Sequence, residues 1–187
     1  MHRRSLFHLP LVASALGGSP LEGDGTPGDS SVQPPDTPTF VAAGADRDQK
    51  PIVGVHAIYH VKVSGKDTEG RCLVLDTLRP TKVGPSLHLH TDCDEWFFVR
   101  DGEFKFKVGE DIMRLKAGDS LLVPRNIAHA FVKTSEGVGK LIVMHQPAVR
   151  MEEFFRSVDA VERTPDGRRT YGEQFGMRFV GPPLTAD

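Results

Sequence analysis

The chain has 187 residues, with 23 Lys plus Arg against 25 Asp plus Glu and a formal net charge of −2. That length suits one domain with appendages, and the balanced charge supplies no basic block to follow a phosphate backbone, so nucleic acid is not an expected partner. No apolar run reaches the roughly 18 residues of a membrane-spanning helix, and the 19 Gly and 14 Pro favour an all-β fold of short strands joined by turns.

The first segment, His2-Arg3-Arg4-Ser5-Leu6-Phe7, precedes Leu9-Pro10-Leu11-Val12 and the small-residue site Ala13-Ser14-Ala15. A charged start, a short apolar stretch and a cleavage site predict a signal peptide over residues 1–15. The pair Arg3-Arg4 ahead of Leu6-Phe7 resembles a twin-arginine export signal. The expected location is therefore periplasmic or secreted, and cytoplasmic if the signal does not operate. Residues 16–39 are rich in Gly, Pro, Ser, Asp and Thr, too polar to bury a core, and read as a disordered linker.

From Phe40 the pattern changes. Val55 to Val63 and Arg71 to Leu78 read as strands around the turn Lys66-Asp67-Thr68-Glu69-Gly70. Ser86 to His90 is short and alternating. Glu95 to Arg100 is aromatic-rich and ends at the hairpin signal Asp101-Gly102. Glu103 to Val108 sets Phe104, Phe106 and Val108 on one face and Glu103, Lys105 and Lys107 on the other. Ile112 to Leu115, Ser120 to Val123, His129 to Lys133 and Lys140 to Met144 complete about nine strands, the spacing of a sandwich or barrel over 40–148. In the tail, 149–187, Met151, Phe154, Phe155 and Val158 recur at helical spacing and predict a helix from Val149 to Val161. A second helix over Asp166 to Phe175 and a short strand from Met177 to Val180 are expected after it.

His88 and His90 stand two apart on a predicted strand, so both imidazoles project to one side. Four residues later Glu95 opens the next strand, at a height that brings its carboxylate level with them. Asp94 is its competitor, and strand phase decides between the two. His129 lies downstream after Pro124. Three imidazoles and one carboxylate form a nitrogen and oxygen donor set suited to iron, manganese, cobalt, nickel, copper or zinc. Phe97 shares the phase of Glu95, and Phe131 and Lys133 share that of His129, so all three are expected to face the same cavity, Lys133 near the end of its strand. Trp96 and Phe98 point outward, into sheet packing or a subunit contact. His56 and His60 read as solvated or hydrogen-bonded histidines. His145 follows a core strand near the expected pocket mouth, but reads as an ordinary packed histidine. Cys72 falls in a predicted strand and Cys93 in a loop, and both read as free thiols.

The spacing H-x-H-x4-E-x6-G over His88, His90, Glu95 and Gly102, then G-x5-P-x4-H over Gly118, Pro124 and His129, resembles the two signature motifs of the cupin superfamily. The segments Lys66-Asp67-Thr68-Glu69-Gly70, Asp94-Glu95-Trp96-Phe97, Tyr171-Gly172 and Phe179-Val180-Gly181-Pro182-Pro183-Leu184 are similar to small bacterial cupins described as quercetin-dioxygenase-like. Three departures stand out. Gly84 lies four residues before His88, where the family's glycine lies six before and Lys82 stands here. Asn126 replaces a usual glycine, and Lys133 a frequent asparagine.

The resemblance implies a single cupin jelly-roll β-barrel with a C-terminal helical extension, holding one divalent transition metal (Fe, Mn, Ni, Cu or Zn) on His88, His90, Glu95 and His129. It implies a metal-dependent dioxygenase for a small phenolic or enolizable substrate, with Glu95 as catalytic base and Phe97, Phe131 and Lys133 at the substrate. A non-oxidative isomerase or lyase, and a ligand- or metal-binding cupin without turnover, are the alternatives. A homodimer is expected, with Trp96, Phe98 and the Phe154-Phe155 helix as contacts.

Overall fold

The computed structural model describes residues 38–54, 56–157 and 165–187. The expected signal peptide, the linker up to residue 37, and the end of the expected helix beyond Ser157 lie outside the described residues. Among these residues run eleven strands: β1 (Ile52–Gly54), β2 (Ala57–Val63), β3 (Leu73–Arg79), β4 (Ser86–His90), β5 (Asp94–Asp101), β6 (Glu103–Val108), β7 (Asp111–Lys116), β8 (Ser120–Val123), β9 (His129–Lys133), β10 (Gly139–Gln146) and β11 (Met177–Pro183). Two short helices, α1 (Met151–Ser157) and α2 (Pro165–Glu173), stand between β10 and β11.

The strands form two antiparallel sheets, ordered β1-β2-β3-β10-β5-β8 and β11-β4-β9-β6-β7. Consecutive strands repeatedly change sheet, the crossover pattern of a jelly roll. Alternation decides which side chains enter. On β3, Leu73, Leu75, Thr77 and Arg79 are buried and Val74 and Leu78 are not; on β10, Leu141, Val143 and His145 are buried. Trp96 and Phe98 on β5 stay half-buried on the outer face, stacked with ring centroids 6.0 Å apart.

Large aromatics fill one end of the interior. Phe97 meets Phe106 at 5.1 Å and Phe131 at 5.4 Å, both edge-on, and Phe106 stacks on Phe131 at 5.3 Å. Such pairs add about 0.5–1.5 kcal/mol each beyond the area they bury. Beside this cluster the interior stays open as a cavity, with Phe131 on its wall.

Several expected boundaries shift. The first long strand is broken: His56 adopts φ 61° in the turn between β1 and β2, so it does not share a strand face with His60. His60 is buried on β2 and its Nδ1 has no hydrogen-bond partner. The turn at Lys66 is a 3₁₀ turn over Gly65–Asp67, closed by a capping box between Ser64 and Asp67. The tail contributes more than helices. β11 pairs with β4 in the register Met177↔His90 and Phe179↔His88, and Met151, Phe154, Phe175 and Met177 are buried against the core. Cys72 and Cys93 are free thiols. No helix among the described residues is long and apolar enough to cross a membrane.

Candidate metal centre

His88 and His90 alternate on β4 and both turn inward, almost fully buried. His129 opens β9 directly opposite His88. Glu95, second residue of β5, is buried beside them, whereas Asp94 points out and pairs with Arg125 at 3.0 Å. Strand phase thus selects Glu95. The ligand atoms offered by His88, His90, Glu95 and His129 all lie within 4.8 Å of one another. Twice a metal–nitrogen bond of roughly 2.1 Å is about 4.2 Å, so a small closure would seat all four around one ion.

The hydrogen bonds set the tautomers. His88 Nδ1 donates to the Ser86 carbonyl at 2.9 Å, and His129 Nδ1 donates to the Ile127 carbonyl at 3.0 Å. A carbonyl can only accept, so in each neutral ring Nε2 keeps its lone pair, the arrangement that second-shell carbonyls impose on metal-binding histidines. Yet His129 Nε2 lies 2.8 Å and His90 Nε2 3.1 Å from the same Glu95 oxygen, Oε2. Either a proton on Nε2, which then donates to Glu95, or a metal ion shared by these atoms relieves the repulsion of a lone pair held that close to a carboxylate oxygen. His90 Nδ1 is buried without a partner. The donor set fits a divalent transition metal.

Burial and the charge of Glu95 pull the three histidines in opposite directions. Burial, reinforced by His129 and His90, pushes His88 down to about 3, so it is a neutral donor at physiological pH. Burial likewise lowers His90. For His129 burial pulls downward, but the hydrogen bond and charge of Glu95 outweigh it and the net shift is upward. Burial would raise Glu95, yet His145, His129 and His90 together hold it well below the usual carboxylate range. The carboxylate is ionised and ready to ligate.

His88, His90 and Glu95 line a cavity of about 640 Å³, as does His145. Its walls include Tyr59, Arg79, Phe131, Val143, Phe154 and Phe179, so most of the lining is apolar. Phe131 is where its phase places it. Phe97 and Lys133 are corrections. Phe97 is fully buried beneath His129, 6.1 Å between rings, and belongs to the core and not to the wall. Lys133 does turn inward, but it stands four residues beyond His129, roughly 13 Å along the strand at about 3.3 Å per residue. Its amine donates to the carbonyls of Pro80 and Gly137 in the loops at that end. Parity gives the face of a strand, not the depth.

His145 was underrated. It is fully buried, directly opposite Glu95 in the β10–β5 register, and its Nε2 lies 3.3 Å from Glu95 Oε1. The signal was present in the alternation Leu141, Val143, His145. Arg79 was missed altogether, although it continues the inward series of β3. Two departures from the motif also find their reason. Asn126 adopts φ 66°, a left-handed backbone that asparagine tolerates. At Gly84 an added Cβ would fall 1.6 Å from the Phe131 carbonyl oxygen, so the chain needs glycine there.

Comparison with known proteins accords with this geometry. The family model described as the cupin domain matches residues 74–145, the stretch from β3 to β10 that carries all four candidate ligands. Residues 74–145 form a cupin domain. Among solved structures, this cupin resembles KdgF from Halomonas sp., with 17% identity and a TM-score of 0.51 over 59% of this chain and 94% of that one. An RmlC-like cupin from Shewanella frigidimarina aligns at 22% identity and TM-score 0.49, over 60% and 93%. Oxalate decarboxylase from Bacillus subtilis aligns at 15% identity and TM-score 0.47, over 54% of this cupin and 28% of that chain, so little more than a quarter of that enzyme is spanned. At 17% identity the likeness to KdgF shows the fold alone. No curated protein sequence matches the chain.

Proposed function

We propose that this cupin is a metal-dependent dioxygenase acting on a small phenolic or enolizable substrate. The observation that carries the reading is the opening of a buried three-histidine, one-glutamate cluster onto an aromatic cavity of about 640 Å³. A bound divalent metal supplies Lewis acidity and a template for a substrate oxygen beside a second small ligand. Phe131, Phe154, Phe155 and Phe179 exclude water and offer ring faces to an aromatic or unsaturated body. Glu95 uses its two oxygens differently: Oε2 faces His90 and His129, and Oε1 faces His145. Oε1 is therefore the atom placed to accept a substrate hydroxyl proton. Because Glu95 is held well below the usual range, it is a weak resting place for that proton, and His145 is positioned to take it onward.

The test is oxygen uptake on a panel of phenols and enolizable ketones, with protein reconstituted separately with iron, manganese, nickel and copper. Substrate-dependent uptake with at least one metal is expected, and no uptake with any of them rejects the reading. One observation favours a second one, a non-oxidative isomerase or lyase for a sugar or keto acid: a buried arginine on the same wall. Substrate conversion without oxygen consumption would decide for it.

A further inference from the structure

Arg79 ends β3 facing the cavity and is only 5% exposed. Its guanidinium lies over two aromatic rings, with Cζ 5.0 Å from the centroid of Tyr59 and 4.9 Å from that of Phe131. Its Nε is buried with no hydrogen-bond partner, and among the described residues no carboxylate pairs with it. Asp76, the acidic residue of β3, is buried on the alternate face of the strand and pairs with Arg100. A guanidinium stays charged at any physiological pH, and burying that charge unpaired is costly. Cation–π contact compensates part of the cost at its faces and leaves the in-plane N–H edge to find an acceptor.

The balance of charge around the cavity points the same way. Its acidic lining residue is Glu95, already engaged by three histidines, while Arg79 and Arg169 line it as cations. A divalent ion would add more positive charge. We propose that Arg79 is a substrate anchor that binds a carboxylate group of the substrate while the opposite end of the same molecule reaches the metal cluster. A planar carboxylate fits the guanidinium edge through two parallel N–H···O bonds. The substrate class is thus narrowed to aromatic or enolizable carboxylic acids. This rests on the metal-dependent reading of the site.

The test uses the full chain loaded with zinc, so that binding is read without turnover. Calorimetric titration compares 3,4-dihydroxyphenylacetate with its methyl ester, which keeps the metal-binding hydroxyls and removes the negative charge. Wild-type protein should bind the acid at least roughly tenfold more tightly, the scale of one charge-assisted contact. Arg79→Met should abolish that preference while ester affinity and zinc content are unchanged, and Arg79→Lys should keep part of it. Equal affinity of acid and ester for the wild type, or a preference that survives Arg79→Met, overturns the proposal. If Arg79→Met does not fold by circular dichroism, the wild-type ratio and Arg79→Lys decide. Oxygen uptake on neutral phenols without any preference for acids overturns the anchor and leaves the dioxygenase reading standing. Acid preference without oxygen uptake under any metal does the reverse.

Discussion

His145 Nε2 lies 3.3 Å from Glu95 Oε1, the carboxylate oxygen that His90 and His129 leave free. That one contact separates His145 from the ligand histidines, which converge on the other oxygen or on the cluster centre. His145→Leu should leave metal content within about twofold of wild type and lower turnover by roughly a hundredfold, the usual worth of a positioned acid–base group. Elemental analysis alongside a rate measurement checks it. Loss of metal in this variant would instead make His145 a ligand.

Removal of a ligand should do the opposite. His88→Ala, His90→Ala and His129→Ala should each weaken metal binding by at least roughly tenfold, since loss of an outer hydrogen-bond partner alone can cost that much. Competition with a metallochromic chelator gives the affinities. Full occupancy in all three variants would reject the assignment.

Gly84 passes so close to β9 that no side chain fits between them. Gly84→Ala should destabilise the protein by about 2 kcal/mol or more, because the backbone of Phe131 must move to admit the methyl group. Denaturant midpoints at constant slope check this. An unchanged midpoint would show that the strand yields freely.

An ion pair ties the segment before β1 to the 3₁₀ turn: Arg47 donates through Nε to Asp67 at 2.7 Å. Its hydrogen bonds lower Asp67 below its ordinary 3.8, against the opposing pull of burial. A carboxyl lowered on folding contributes stability above its unfolded value and loses it as pH falls through the folded one. Arg47→Met should therefore cost about 1 kcal/mol at neutral pH, and the difference from wild type should narrow below about pH 4. Urea unfolding across pH 2–7 measures it. A gap that stays constant across that range would remove the ion pair from the account.

Homodimerisation is proposed through the outer face of the larger sheet, where Trp96 and Phe98 are half-buried and Leu122 is exposed. Wild-type protein should be a dimer by light scattering at micromolar concentration, and Trp96→Lys with Leu122→Lys should make it a monomer. A monomeric wild type would end the proposal.

Much of this was legible in the sequence. Period-two alternation located β5, β6 and β9, and the spacing of His88, His90, Glu95 and His129 picked out four side chains that the fold brings together. The place of Lys133 near its strand end can be counted off the sequence, but the depth of Phe97 in the barrel was not legible. Phe97 and Lys133 have the right parity, yet one lies beneath the histidines and the other at the far loops, because depth depends on how the opposing sheet is staggered. Nor was the break at His56 visible, since it depends on one backbone angle. The pairing of β11 with β4 joins residues about ninety apart in the chain, and no local pattern encodes such a partner.

That last pairing has a consequence for how this protein can change. The four donor side chains come from the central stretch between β4 and β9, whereas Met151, Phe154, Phe155, Met177 and Phe179 reach the cavity from the last forty residues. The donors and a large part of the chamber wall therefore reside in separate lengths of polypeptide, although Tyr59, Arg79 and Phe131 add to that wall from the earlier stretch. Exchanging the tail alone would reshape the part of the chamber it lines while the donor atoms stay where they are, so drift in that tail would alter the fit of a guest before it alters the chemistry.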